Sequence, residues 1–170
     1  PNVVSFSALI GGYVQHRLGD EALKCFKQMQ DVGVCPNVVT YICVLKACGI
    51  AGALETGKDI DAEVRKQGLL HKDICLGTAL VDMYSKCGFL QEAHHVFDHL
   101  HERDDISWST MISGYVYRED GCTALALLKD MLKGGLAPGK SVLLISLKAC
   151  NNTREGLLEG RLLHDQVIRN

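Results

Sequence analysis

Apolar residues recur three and four positions apart along most of this chain. Leu9, Ile10, Tyr13 and Val14 share one helical face, and Ala22, Leu23, Phe26 and Met29 share another. Ala79, Leu80, Met83 and Tyr84 repeat the first pattern, and Ala93, Val96, Phe97 and Leu100 the second. Short polar or glycine-bearing stretches separate the members of each pair. His16–Gly19 and Lys86-Cys87-Gly88 are the predicted turns. The starts, such as Val3-Val4-Ser5-Phe6, favour strand by propensity. Their recurrence ahead of a helical pattern assigns them to the entry of a first helix. The chain is therefore expected to be all-α, built of helix pairs, with Phe26 and Phe97 buried between helices.

The pairs are copies of one another. Val3–Asn37 aligns without a gap on Asp105–Gly139, with identities that include Ser5/Ser107, Ser7/Ser109, Gly12/Gly114, Tyr13/Tyr115, Lys27/Lys129, Met29/Met131 and Pro36/Pro138. The same offset of 102 carries Leu45-Lys46-Ala47-Cys48 onto Leu147-Lys148-Ala149-Cys150. Within that period lie units of 35, 36 and 31 residues: 3–37, 38–73 and 74–104. Units 105–139 and 140–170 repeat the first two, the last one cut short. Pro1-Asn2 matches Pro36-Asn37, so the chain is expected to open on the tail of a preceding unit. The prolines all sit at unit ends, where a helix must stop. A single pair cannot bury its apolar face, but stacked neighbours can. The expected fold is a right-handed α-solenoid of about five helix-turn-helix repeats.

Composition narrows the chemistry. The net charge of −2 gives no strongly basic signature of nucleic-acid binding. Apolar runs such as Val142–Ile145 are too short to cross a bilayer. None of the eight cysteines forms a Cys-x-x-Cys pair, and several fall in apolar helical stretches, so reduced structural thiols are expected. His95 and His99 have a metal-sharing spacing but fall on the polar face of a predicted helix with His94 and His101, so no metal or other cofactor is expected. No nucleophile elbow or phosphate loop supports catalysis.

Unit lengths of 35, 36 and 31 resemble the P, L and S motifs of plant pentatricopeptide-repeat proteins. So do Val38-Val39-Thr40-Tyr41, Leu80-Val81-Asp82-Met83-Tyr84-Ser85-Lys86-Cys87-Gly88 and Ser107-Trp108-Ser109-Thr110-Met111-Ile112-Ser113-Gly114-Tyr115. The resemblance implies a mitochondrial or chloroplast protein that binds single-stranded RNA 5′ to 3′, about one base per repeat. Members of this subclass direct C-to-U editing through C-terminal extensions and a zinc deaminase domain. The chain has none of those motifs, so it is expected to bind rather than catalyse. A monomer without membrane contact is expected, with RNA as partner and an accessory editing-factor protein as a further candidate.

The same resemblance assigns residues. The fifth and last residues of a unit read the base edge: Ser7 with Asn37, Thr78 with Asp104, and Ser109 with Gly139. Asp104 only accepts hydrogen bonds, which suits the donor edge of guanine, whereas the amide of Asn37 donates and accepts, which suits adenine. Ile42, paired with Asp73, and Leu144 make no edge hydrogen bond and are expected to read poorly. Second residues Val4, Val39, Cys75 and Ile106 are expected to wedge between successive bases, with Ser141 departing from the pattern. Lys46, Lys86 and Lys148 are candidates for phosphate contact or for a merely solvated face. Asn37, Asp73 and Asp104 are equally candidates for helix caps. Trp108 matches Phe6 in register and is read as packing. The rival to RNA binding is a helical-repeat scaffold for a protein partner, for which the negative charge suits a basic one.

Overall fold

In a computed structural model, residues 2–150 are described, and they hold nine helices and no strand. These are α1 Val3–Gln15, α2 Gly19–Asp31, α3 Val38–Ala51, α4 Leu54–Lys66, α5 Ile74–Cys87, α6 Leu90–Asp98, α7 Asp105–Tyr117, α8 Gly121–Lys133 and α9 Lys140–Cys150. Two compact units form, one ending at Glu102 and the other starting at Arg103. The second half of the last expected repeat lies outside the described residues.

Polar side chains start α1, α3, α5 and α7. Asn2, Asn37, Asp73 and Asp104 each sit in extended backbone and accept a hydrogen bond from the backbone N–H three residues on. That bond satisfies one of the donors a helix start leaves open. The strand-like Val3-Val4 and Val38-Val39 pairs thus enter helices, because the cap and tertiary burial override β propensity. Helix ends fall where the chain turns left-handed. Gly52 (φ 68°) and Gly88 (φ 91°) close α3 and α5. The turn after α5 is shorter than expected: Lys86 and Cys87 remain helical, because Gly88 alone supplies the left-handed residue.

In the first unit α1 packs on α2 and α3, and α3 packs on α2, α4 and α5, with α6 against α5. Ile10, Met29, Val44, Leu45, Val64, Leu76, Leu80, Met83 and Phe97 are fully buried, and Phe26 nearly so. Helix approach is close enough that a Cβ on Gly57 would lie 2.5 Å from the Met83 sulfur. Buried Asp61 ties α4 to α5, accepting from Tyr84 Oη at 2.9 Å and from Arg65 Nε at 2.7 Å. Burial, reinforced by the Asp61 carboxylate, pushes the Tyr84 phenol up. In the second unit α7 packs on α8 and α9, around Met111, Ile112, Leu128, Met131 and Val142. Trp108 is buried like Phe6, with the Arg103 guanidinium 5.9 Å from its ring centre.

All eight cysteines are free thiols. Cys25, Cys48 and Cys150 are buried, whereas Cys35, Cys75 and Cys122 are exposed. Native alkylation is therefore expected at the exposed three and, for the buried three, only after unfolding. Burial pushes the Cys48 thiol from 9.0 up to about 12, with nearby Cys87 adding to it. The unfolded chain loses this proton at lower pH than the folded one. Its contribution to stability is whole below pH 9.0 and is lost as pH climbs towards 12. Urea midpoints measured across that window should fall less in Cys48→Ala than in the native chain. Equal falls would contradict an enclosed thiol.

Candidate nucleic-acid interface

In the first unit, two predicted positions, Ser7 and Asn37, and one unpredicted residue, Thr40, form a hydrogen-bonded chain. Asn37 Oδ1 accepts from the Thr40 backbone N–H at 2.9 Å and from Thr40 Oγ1 at 3.0 Å. Thr40 Oγ1 also accepts from the Asn37 N–H at 3.2 Å and lies 2.7 Å from Ser7 Oγ. Because the Thr40 proton is directed at Asn37, Ser7 donates to Thr40. Thr40 then has both lone pairs and its proton engaged. Both lone pairs of Asn37 Oδ1 are engaged too. Asn37 is exposed, and what it presents to solvent is Nδ2, a donor. A bare amide offers a mixed edge; this one offers only half of it.

Ser7 itself is 6% exposed, so its hydroxyl faces α3 rather than solvent. Sequence reasoning missed Thr40, which is fully buried at the third position of its unit. The available signal was the recurrence of a hydroxyl there, at Ser5, Thr40 and Ser107. Thr78 is half-buried in α5, with no hydrogen-bond partner among the described residues, and Ile42 is half-buried in α3. Asp73 caps α5 through Leu76 N–H at 3.1 Å.

In the second unit Asp104 is exposed, and its Oδ1 accepts from Ser107 N–H at 2.8 Å. The Ser107 hydroxyl donates to the Asp104 backbone carbonyl at 2.9 Å, not to the carboxylate. Asp104 Oδ2 is thus left as an acceptor facing solvent. Asn37 and Asp104 occupy the same cap position and present opposite polarity. Ser109 is half-buried, its hydroxyl donating to the Ile106 carbonyl at 3.0 Å. Gly139 has no side chain, and its N–H donates to Asp105 Oδ1 at 2.8 Å.

The second residues of the units are uncovered, and all but Ser141 are apolar or thiol side chains. Val4 is 68% exposed, Val39 57% and Ile106 64%, with Cys75 and Ser141 also exposed. Val4, Val39, Cys75 and Ile106 each lie one residue inside the helix, two after the cap, and so stand beside a capping side chain. Leu144 is exposed as well. Lys46 and Lys148 are exposed. Lys86 differs: its ammonium donates to Asp82 Oδ2 at 2.6 Å and its stem packs 3.1 Å from the Cβ position of Gly49, so phosphate must compete with a carboxylate. Away from these positions, His99 Nδ1 lies 2.8 Å from the His95 carbonyl. Among the described residues no three metal-ligating side chains come together.

Residues 1–49 match the profile of the PPR repeat family, and residues 78–104 and 106–136 match that of the PPR repeat. The chain belongs to the pentatricopeptide-repeat family. Among its relatives in Arabidopsis thaliana, the chloroplastic pentatricopeptide repeat-containing protein CRR2 is 37% identical over 99% of this chain and 26% of its own length. A mitochondrial relative is 38% identical over 86% of this chain and 22% of its own. The chain spans 20 to 30% of the length of such relatives. The fold is that of the pentatricopeptide repeat protein PPR10 in complex with an 18-nucleotide psaJ RNA element. The two superpose with a TM-score of 0.79 at 17% identity, over 96% of this chain and 24% of that one. PPR10 from maize solved in another crystal structure gives 0.69 at 18% identity, over 99% of this chain and 24% of that one.

The cap position makes a prediction about stability alone. Asp104→Asn keeps an oxygen for Ser107 N–H and should unfold like the native chain. Asp104→Ala removes it and should cost about 1 kcal/mol in urea unfolding. Equal losses in both variants would show that the cap is not what Asp104 contributes to folding.

Proposed function

We propose that this chain is the target-recognition part of an organellar RNA editing or processing factor and binds single-stranded RNA, one base per repeat. The repeats are read as P, L and S units at 3–37, 38–73, 74–104, 105–139 and 140–170. The observation that carries this reading is the pairing, at successive helix starts, of a capped polar side chain with an exposed apolar neighbour. A flat base needs both: an apolar surface against its face and a polar atom at its edge. Val4, Val39 and Ile106 supply the first, with Cys75, while Asn37 and Asp104 supply the second. Mitochondrial and chloroplastic relatives support the localisation.

Polarity decides the bases. The Nδ2 donor of Asn37 fits the N1 acceptor of adenine, with Ser7 acting through Thr40 to hold the amide. Asp104 Oδ2 fits the donors of guanine, and Thr78 is read as its companion in the family pattern. The second and last units contribute aliphatic Ile42 and Leu144 and choose no base. Ser109 favours a purine at the fourth position. Lys46 and Lys148 are offered to phosphate more freely than Lys86. The chain acts by binding, and catalysis, where the parent protein edits, belongs to other domains.

A second reading has one observation behind it. A groove along α2 and α4, floored by Phe26, Tyr41 and Ile60, is rimmed by Asp20, Glu21, Asp59 and Glu63. Lys24 and Lys27 leave it net negative, which suits a basic segment of an accessory protein.

Fluorescent RNA titrated at several salt concentrations separates the two. RNA affinity should fall as salt rises, by counterion release. Asp104→Asn turns the presented atom from acceptor to donor while keeping the cap. The third base should then shift from G towards A by about fivefold, the effect of roughly 1 kcal/mol. Unchanged preference for the third base would refute the assignment of Asp104, and no RNA binding at low salt would favour the scaffold.

A further inference from the structure

Gly139 occupies the position at which the other junctions carry a capping side chain. A Cβ built there would lie 2.5 Å from Asp105 Oδ2, 2.8 Å from its Cγ and 2.9 Å from its Oδ1. The Asp105 carboxylate therefore fills the space where the side chain of residue 139 would begin. It reaches there from the first turn of α7, one helix away, held by the 2.8 Å bond from Gly139 N–H to Oδ1. Both halves of this arrangement are peculiar to one unit. First residues elsewhere are Val3, Val38, Ile74 and Lys140; only here is the first residue an acid, and only here is the last one a glycine. Any larger residue at 139 would displace the carboxylate, so the two residues fit as a pair.

We infer that Asp105 is the base-selecting residue of the fourth site, standing in for the side chain that Gly139 lacks and presenting an acceptor to the base edge. The inference rests on the RNA-binding reading above and sharpens it. Oδ1 is spent on Gly139 N–H, as Oδ1 of Asp104 is spent on Ser107 N–H. Oδ2 has no hydrogen-bond partner among the described residues. Asp105 is half-buried, with exposed Ile106 as its chain neighbour. A carboxylate oxygen accepts and never donates. It rewards guanine, whose N1 and N2 donate, and rejects adenine, whose N1 accepts. Ser109 with a bare Gly139 leaves a purine undecided; Asp105 makes it guanine.

The test uses this chain with RNAs that differ only at the third or fourth base. The native chain should prefer G to A at the fourth base by about fivefold or more. Asp105→Asn keeps an oxygen for Gly139 N–H and turns a donor outward, so the preference should invert or vanish there while the third base is unaffected. The double variant Asp105→Ala, Gly139→Asn clears the space and restores an ordinary capping amide, and should select A. An Asp105 with a purely structural role would lower the melting temperature in Asp105→Ala yet leave the fourth-base preference of Asp105→Asn native, which overturns the inference. If Asp104→Asn moves the third base while Asp105→Asn moves nothing, the inference falls and the RNA reading stands. If neither variant moves a base, or no RNA binds, the reading falls and takes the inference with it.

Discussion

Four of the helix starts that open a repeat turn on one hydrogen bond, from a backbone N–H in the first turn to the side-chain oxygen of the capping residue. Asn2, Asn37, Asp73 and Asp104 make it at 2.8–3.1 Å. Such a bond contributes about 1 kcal/mol, far less than the burial of Leu45, Leu80 or Phe97 behind it. Its importance is positional. It ends the extended connector, begins the next helix at a fixed residue, and so fixes which face of that helix meets its neighbours. It also uses one specific polar atom and turns the other outward. In the proposed reading, folding and base recognition draw on the two ends of the same side chain.

The residue after next inherits a fixed direction from the same bond. Val4, Val39 and Ile106 are β-branched and apolar, yet uncovered. Isolated exposed apolar residues are ordinary on protein surfaces. These recur at one register, beside the outward polar atom, while the residue two further on is buried in each case: Phe6, Tyr41 and Trp108. In α3 and α7 the third residue, Thr40 or Ser107, is buried with it. The inward hydroxyl then tunes the outward atom. Thr40 donates to the Asn37 amide and leaves a donor showing; Ser107 donates to the backbone of Asp104 and leaves an acceptor.

Helix pairs, their starts and the buried Phe26 and Phe97 were legible in the sequence, because periodicity and an ungapped internal repeat report local structure and its stacking. Contacts between side chains on neighbouring helices were not. Ser7 and Thr40 are 33 residues apart, and Gly139 and Asp105 are 34 apart. Pairing them requires the packing of α1 on α3 and of α7 on α9, which no local pattern encodes. For Asn37 and Asp104 the sequence left cap and base reader both open. In three dimensions each residue spends one polar atom on the cap and keeps a second outside it, which the proposed reading gives to a base. The ion pair that holds Lys86 was not legible, because Asp82, one turn earlier, carries no signal of its own in a helical pattern.

A structure of this chain bound to an RNA with guanine at the third position tests the central claim most directly. The account predicts the guanine edge within hydrogen-bonding distance of Asp104 Oδ2, with the Oδ1 bond to Ser107 N–H still at about 2.8 Å and Ile106 against a base face. A base edge held by other groups, or a cap broken to reach it, would contradict the division of labour proposed for this side chain.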